Sequence, residues 1–233
     1  MSPRDVARAL ERSRRTLPGV AGVEHLEGFG LLGLTFQSGD VLAFRCFTAS
    51  SIGPPYLSVW HRHPNGRWVI HTNVAPARAC PRWFGPALHA FDADDIVLTW
   101  LAPAELSITA ARSRLHLALR LAATPVTRLI GAAAPAAPGM LWRSRHAGAV
   151  AGRLLRTGRL SFAGRVPAGH EYVIRPRALW RIAGAAAVID GRDAGSITTP
   201  SRQASLGEFL IPSRGLFATG RVTFLRRGAE EAP

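Results

Sequence analysis

Segment 56–73, YLSVWHRHPNGRWVIHTN, carries the strongest β-hairpin signal in the chain and most constrains how the chain can fold. Pro64 suits the first central position of a type I turn, and Asn65 suits the second. Gly66 then takes the left-handed position that closes a three-residue loop with a G1 bulge. The segment therefore predicts two antiparallel strands joined by a tight turn.

The register of this hairpin decides which side chains share a face. With the three-residue loop, His63 lies opposite Arg67, and successive side chains alternate between two surfaces. One surface carries Tyr56, Trp60, Trp68 and Ile70, and the other carries Val59, His61, His63, Arg67 and His71. A two-residue type I′ turn would shift the register by one residue and bring His71 to the Trp60 surface, but it requires a positive φ at Asn65. We favour the three-residue loop and expect the tryptophan surface to be the interior.

The rest of the chain also has the sequence pattern of a mainly β protein. Of its 233 residues, 47% are hydrophobic, which is enough for a sizeable core and argues against a disordered chain. Further strands are predicted at 31–36, 41–47, 96–101, 105–109, 114–122, 159–165, 170–175, 178–182, 187–190 and 216–225. The leucines of the stretch 114–122 recur at every second position, so one side of the sheet must be buried.

Two helical segments interrupt this pattern. Residues 1–17 predict an N-terminal helix, which Ser2 can cap, and the Ala- and Gly-rich residues 124–157 predict a helical insert between two strand-rich halves. We predict a single domain over 1–233, an antiparallel lipocalin-like β-barrel with the N-terminal helix and the helical insert. A β-sandwich is the alternative.

The charge is strongly positive and uneven. The formal net charge is +14, the chain contains no Lys, and segment 143–181 holds nine Arg against Glu171 alone. Such a segment could bind nucleic acid or an anionic membrane surface, although a solvent-exposed basic face is the more ordinary explanation. Aromatic residues are sparse there, and no nucleic-acid-binding motif is present.

Cysteine usage and the N-terminus indicate the compartment. Cys46 and Cys80 form no CxxC or zinc-finger spacing, and the basic N-terminal stretch lacks the apolar core of a signal peptide. No apolar run reaches the ~18 residues of a membrane-spanning helix. We therefore expect a cytoplasmic protein with free thiols. No phosphate-binding glycine loop, HExxH helix or GxSxG motif is present.

The candidate site residues are aromatic and acidic. Trp60, Trp68 and Trp100 are expected to line an apolar pocket, and His71 would join them only in the shifted register of the hairpin. Asp94, in a cluster of three aspartates just before the strand with Trp100, is the candidate proton donor, with a pKa raised by apolar surroundings. Glu171, at the start of another strand, is the second candidate acid.

Metal and nucleophile chemistry are weaker possibilities. His61, His63 and His71 share a surface and could supply three nitrogen ligands to zinc. Arg67 on that surface opposes a cation and His63 is expected to be exposed, so we predict no metal and no other cofactor. Cys80 has no partner whose proximity the sequence predicts, and an ordinary cysteine is favoured over a nucleophile.

Four stretches resemble a family of uncharacterised actinobacterial proteins: HPNGRWVIHTN, CPRWFG, ATPVTRLI and GEFLIPSRGLFATGR. This resemblance covers most of the chain and implies no known activity. The strand order, with Trp100 before a turn at Pro103, is also distantly similar to lipocalin-like proteins of the carotenoid hydratase and tocopherol cyclase type. That similarity implies apolar polyene ligands and redox-neutral hydration or cyclisation, but it matches no catalytic residue.

These observations predict that the chain binds an apolar or aromatic small molecule in a barrel cavity. Acid/base catalysis of a redox-neutral cyclisation, isomerisation or hydration is the candidate reaction, and it needs no cofactor. A non-catalytic ligand carrier fits the same residues. An Arg-rich binder of nucleic acid or of an anionic membrane surface is the alternative from a different class.

Overall fold

The computed structural model of the chain describes residues 1–226, without the side chain of Arg145. Strands account for 46% of the described residues and helices for 21%, so the prediction of a mainly β protein is confirmed. The strands are β1 (Arg15–Thr16), β2 (Val23–Phe36), β3 (Val41–Ser50), β4 (Tyr56–Arg62), β5 (Trp68–Thr72), β6 (Ala90–Ala93), β7 (Ile96–Ala102), β8 (Glu105–Ala110), β9 (Leu115–Ala122), β10 (Ala163–Arg165), β11 (Glu171–Ile189), β12 (Arg192–Asp193), β13 (Ile197–Thr198), β14 (Ser205–Leu206), β15 (Phe209–Leu210) and β16 (Leu216–Leu225). The helices are α1 (Pro3–Arg12), α2 (Pro81–Phe84), α3 (Pro125–Ala133), α4 (Gly139–Arg143) and α5 (Arg145–Leu155), with 3₁₀ turns at Pro76–Arg78, Gly85–Ala87 and Ala134–Ala136.

Ten strands form one continuous sheet in the order β6-β5-β4-β3-β2-β16-β11-β9-β8-β7. All neighbours along this path are antiparallel except β5 and β6, which are parallel. The two end strands, β6 and β7, are consecutive in the chain and only Asp94 and Asp95 separate them, so the sheet curls round. Within residues 1–226, however, β6 and β7 do not pair, and the sheet is a curled half-barrel. The predicted lipocalin-like barrel is therefore confirmed only as a curled, mainly β sheet.

The hairpin register predicted from the three-residue loop is confirmed. The backbone N–H of His63 donates to the backbone oxygen of Arg67, Arg62 pairs with Trp68, and Val59 pairs with His71. Gly66 has φ of 92°, the left-handed conformation that the loop requires. The turn chemistry of this segment therefore fixed its pairing locally.

The predicted helices form with modified boundaries. Ser2 and Asp5 make a reciprocal capping box at the start of α1, and Thr124 and Thr127 do the same for α3. The insert contains the three helices α3 to α5. The last seven positions of the predicted single domain, 227–233, lie outside the described residues.

The three strands predicted within 170–190 are one long strand, β11. Pro176 lies where the pairing of β11 with β16 shifts register, so its missing N–H costs no ladder bond. A second shift, beside Gly184, bends the pairing with β9. Because of these two bulges, one continuous strand can follow the curl of the sheet. The sequence had instead suggested breaks between three shorter strands.

Two apolar clusters lie on opposite faces of the sheet. The interior cluster includes Phe29, Leu31, Leu34, Phe36, Leu42, Phe44, Cys46, Val59, Ile96, Leu106, Ile108, Leu115, Leu117, Leu119, Leu121, Trp180 and Phe217, with Trp100 packed against it. The outer cluster includes Leu26, Val41, Tyr56, Trp60, Trp68, Ile70, Cys80, Trp83, Phe84, Tyr172, Phe209 and Phe224. Because the interior cluster joins residues from both ends of the strand path, it fills the inside of the curl.

The expectation that the tryptophan surface of the hairpin faces the interior is wrong. Trp60 and Trp68 belong to the outer cluster, which the segment around α2 and the β14–β15 hairpin cover, whereas Val59 points inward. Both faces of β3 and β4 are buried. The alternation of side chains along the strands therefore separates two sets of residues, but it does not indicate which set faces the inside of the curled sheet. Across the described residues, no helix combines the length and the apolar character needed to cross a bilayer.

Candidate functional site

A cavity of about 110 Å³ lies on the outer face of the sheet, over β2 and β16. Its floor is made of small residues, since Gly28 pairs with Gly220 and Gly30 pairs with Ala218 across the two strands. A Cβ atom added to Gly28 would lie 2.0 Å from the backbone oxygen of Cys46, so only glycine allows β2 to approach β3 so closely here. The small floor residues leave open space above the sheet.

The walls of the cavity are apolar. They include the aromatic residues Phe47, Trp60, Trp83, Phe84, Phe162 and Phe209 and the aliphatic residues Leu160, Ile174, Leu179 and Leu216. Trp60 meets Phe84 edge to face at a centroid distance of 4.6 Å, and Trp83 stacks on Phe224 at 3.9 Å. These ring contacts hold the walls in place, and a cavity so lined suits an apolar or aromatic group.

Arg45 brings a positive charge into this apolar setting. It extends from the middle of β3, is 7% exposed, and lines the cavity. Its Nη1 donates to the backbone oxygens of Leu31 and of Phe44, the latter at 2.9 Å, and its guanidinium carbon lies 5.0 Å from the ring centroid of Trp60. The side chain is therefore fixed by main-chain acceptors and by a cation–π contact.

No carboxylate within residues 1–226 forms an ion pair with Arg45. Its nearest ionisable neighbours are the thiol of Cys80 and the phenol of Tyr56, whose pKa values burial raises, so that both are neutral at neutral pH. Burial lowers the pKa of Arg45 to about 10, with Cys80 and Tyr56 opposing the shift. The guanidinium thus remains charged at neutral pH, and among residues 1–226 that charge has no anionic partner.

Cys80 belongs to a buried polar group beside the cavity. Its sulfur lies 3.5 Å from Tyr56 Oη and 3.4 Å from Ser58 Oγ, and Ser58 Oγ also accepts from Trp60 Nε1 at 3.3 Å. No histidine is among these partners, and burial raises the pKa of the thiol. The arrangement satisfies buried polar atoms and keeps the thiol protonated, which fits the ordinary cysteine favoured from sequence.

The edge of the cavity is also positive. Arg221 lines the cavity, and its Nη2 lies 3.9 Å from a carboxylate oxygen of Glu27. The same carboxylate accepts from Arg177 and lies 3.5 Å from Nη2 of Arg15. Three arginines therefore share one carboxylate, which leaves a local excess of positive charge where Arg221 lines the cavity.

Of the three predicted pocket tryptophans, Trp60 alone lines the cavity. Trp68 is buried in the outer cluster, where its Nε1 donates to the backbone oxygen of Ser205 at 3.0 Å. Trp100 lies on the other side of the sheet, against Phe217 in the interior cluster. The curl of the sheet separates Trp100 from Trp60, because the two side chains face opposite sides.

Asp94 lies outside the cavity, where it holds the two ends of the sheet together. Its carboxylate accepts from the backbone N–H groups of Arg112 at 2.8 Å and of Ser113 at 2.9 Å, and its own N–H donates to the backbone oxygen of Thr72 at 3.0 Å. Burial alone would raise the pKa of Asp94, but the hydrogen bonds from Ser113 and Arg112 outweigh it and lower that pKa. The raised pKa expected for a proton donor is therefore wrong.

His71 and Glu171 also lie away from the cavity. His71 is on the opposite face of the hairpin from Trp60, with Nδ1 3.8 Å from a carboxylate oxygen of Asp94, and burial lowers its pKa against the effect of that carboxylate. Glu171 is exposed, and its carboxylate lies 3.9 Å from Nη2 of Arg165. The structure thus does not bring the six predicted site residues together.

The basic segment 143–181 spans several elements of the fold. It is divided between the helices of the insert and β10 and β11, and at least Arg165 and Arg177 pair with carboxylates.

Prediction from sequence missed Arg45 at the cavity, although a signal was present. Arg45 interrupts the otherwise apolar stretch VLAFRCF, and a charged residue within a buried strand points to a special partner.

No family model matches the chain, and no curated protein or solved structure matches it either.

Proposed function

We propose that the chain binds a small apolar or aromatic molecule that carries a negative charge. The apolar part would occupy the cavity over β2 and β16, and the anionic group would meet Arg45. The observation that carries this proposal is a buried cation that lines a mainly apolar cavity and has no carboxylate partner within residues 1–226.

Energetics support an anionic ligand. A buried charge without a counter-ion costs several kcal/mol, and main-chain acceptors offset this only in part. Nη2 of Arg45 makes only a long contact, 3.5 Å to the backbone oxygen of Leu32, so it retains capacity to donate. A carboxylate can accept two parallel bonds from a guanidinium, and in a dry site such bonds are about twice as strong as neutral ones.

Size supports a compact ligand. A cavity of about 110 Å³ is close to those that take up a single aromatic ring in proteins, and the ring of Trp60 offers a flat partner. Asp94 and Glu171 do not line the cavity, so neither is positioned to protonate a molecule there. The proposal is therefore binding, as in a carrier, and includes no acid/base step by these carboxylates.

Isothermal titration with benzoate and with benzamide tests the proposal. The two probes have nearly the same shape and differ in charge, and tryptophan fluorescence gives a second readout because Trp60 and Trp83 line the cavity. We expect benzoate to bind about tenfold or more tightly than benzamide, as a hydrogen bond to a charged group predicts. Failure of both probes to bind would overturn the proposal.

Variants locate the interaction. Arg45→Met should remove the preference for benzoate, whereas Arg120→Met, which removes an exposed arginine of β9, should keep it. Ala218→Leu retains Arg45 but fills part of the cavity, so it should weaken both probes. A folded Arg45→Met chain that still prefers benzoate, or an Ala218→Leu chain that binds both probes normally, would contradict the proposed site.

A further inference from the structure

A second cluster of chemical groups lies near the turn of the β4–β5 hairpin. Asp40, His61 and His63 each direct one potential ligand atom into a common space, and these three atoms lie within 4.8 Å of one another. Nε2 of His61 is 2.7 Å from Oδ1 of Asp40, and the rings of His61 and His63 are 4.0 Å apart. None of the three lines the cavity described above.

Strand pairing places these residues together. His61 and His63 are two apart at the end of β4, so they project to the same side. Leu42 of β3 pairs with His61 and Val41 pairs with Arg62, which brings Asp40, just before β3, level with His63. The three groups are therefore carried by a rigid pair of strands and the turn that leads into it.

The surroundings orient the carboxylate. Oδ2 of Asp40 accepts from Ser38 Oγ at 2.7 Å, which leaves Oδ1 directed at His61. A hydrogen bond of this kind to the free oxygen of a carboxylate ligand is typical of metal sites. Asp40 and His61 are buried, whereas His63 is half-buried beside the turn, so the site is held on one side and open on the other.

Charges near the cluster are compatible with a cation. Arg67, opposite His63, is exposed and its side chain can extend into solvent, so the repulsion expected from its position in the sequence is screened. His71, on the same face, has its own carboxylate neighbour in Asp94, at 3.8 Å. The third ligand beside the two histidines is thus Asp40, contributed by the neighbouring strand, and not His71.

We infer that Asp40, His61 and His63 bind a divalent transition-metal ion, with zinc as the best match. Two imidazoles and one carboxylate, with a fourth position open to water, are a ligand set of tetrahedral zinc sites. Ligand atoms around tetrahedral zinc are about 3.3 Å apart. His61 and Asp40 would separate slightly from 2.7 Å, and the half-buried His63 ring would move inward.

Metal titration of the tag-free chain tests this inference. Zinc is added and the protein is then desalted for elemental analysis, and Co²⁺ serves as a spectroscopic substitute. We expect one zinc per chain and visible Co²⁺ absorption of the intensity that tetrahedral coordination produces. The absence of stoichiometric metal would overturn the inference. Such a result would leave the cavity proposal untouched, because that proposal rests on Arg45 and a different probe.

Four variants assign the ligands. His63→Ala and Asp40→Asn should each weaken zinc by more than the roughly 10–100-fold that loss of a supporting residue costs, and Ser38→Ala should weaken it within that range. His89→Ala removes an exposed histidine elsewhere and should bind zinc like the parent chain. Unchanged zinc affinity in both His63→Ala and Asp40→Asn would place the ion elsewhere and contradict the inference.

Discussion

Replacement of Asp94 by Asn tests whether this carboxylate holds the ends of the curled sheet together. Asp94 is 4% exposed and its two oxygens accept from the backbone N–H groups of Arg112 and Ser113, at 2.8 and 2.9 Å. An Asn side chain has one oxygen, so it can keep one of these bonds. Its NH₂ group would face the other N–H, which would then be a buried donor without an acceptor.

The expected cost follows from these two bonds. A hydrogen bond to a charged group contributes about 1.5–3 kcal/mol and a neutral one about 1 kcal/mol, so loss of one bond and weakening of the other costs about 2–5 kcal/mol. For a chain of this size each kcal/mol corresponds to about 2–4 °C. We therefore expect the Asp94→Asn chain to melt about 4–20 °C lower.

Urea denaturation of both chains at several pH values is the assay. The pKa of Asp94 is lowered in the folded chain, so the unfolded chain takes up a proton first as the pH falls. The stability that Asp94 contributes is complete above its ordinary pKa of 3.8 and is lost as the pH falls through the lower folded value. The difference between the two chains should therefore be constant near neutrality and shrink in acid.

Asp95→Asn is the matched control. The side chain of Asp95 is 72% exposed and pairs with Arg112 at 3.3 Å, so its loss should cost less than about 1 kcal/mol. An Asp94→Asn chain as stable as the parent at neutral pH would refute the reasoning that this carboxylate joins the ends of the sheet. Equal losses in the two variants would also refute it, because burial would then make no difference.

Three further predictions concern packing, thiols and a histidine. Gly220→Ala places a Cβ 2.5 Å from a carbonyl oxygen of the neighbouring strand and should cost about 1–3 kcal/mol in urea denaturation, whereas Gly85→Ala meets no atom within 4 Å and should be neutral or slightly stabilising. Burial raises the pKa of Cys46 to about 12 and also raises that of Cys80, so Ellman's reagent at neutral pH should label both only after unfolding, and fast labelling of the folded chain would be contrary evidence. Burial lowers the pKa of His71 from 6.5, so the unfolded chain binds the proton first and the stability of the fold should decrease as the pH drops below about 6.5. His71→Gln should reduce this pH dependence, and an unchanged stability profile would contradict the prediction.

Local chemistry explains why the hairpin could be predicted. The turn Pro64-Asn65-Gly66 sets the pairing of the adjoining strands without help from the rest of the chain, and the observed register is the predicted one. The caps at Ser2 and Thr124 are equally local. The alternating leucines of β9 are buried as predicted, because a period of two is a property of the strand itself.

Contacts distant in sequence explain what could not be predicted. The tryptophans and histidines of the hairpin were correctly separated, but both faces of β4 are buried, and only the curl of the whole sheet decides which face is inside. Trp100 was grouped with Trp60 because both are strand aromatics, and the curl places them on opposite faces. Asp94 was interpreted as a proton donor because its hydrogen-bond partners could not be recognised from the sequence. These partners are the backbone N–H groups of Arg112 and Ser113, which come from a turn that follows a different strand.

The sequence by itself determined that this chain forms an antiparallel, mainly β sheet with a defined hairpin, a capped N-terminal helix and a helical insert, because turns, caps and periodicity act between near neighbours. The tertiary structure alone decided where an empty, mainly apolar space would remain, that Arg45 would line it with no carboxylate partner among residues 1–226, and that Asp40 would lie level with His63. Each of these depends on the pairing of separate strands and on the burial that follows from it. The effect of a buried charge on stability and on binding depends on the groups that surround it, and those groups come from distant parts of the chain.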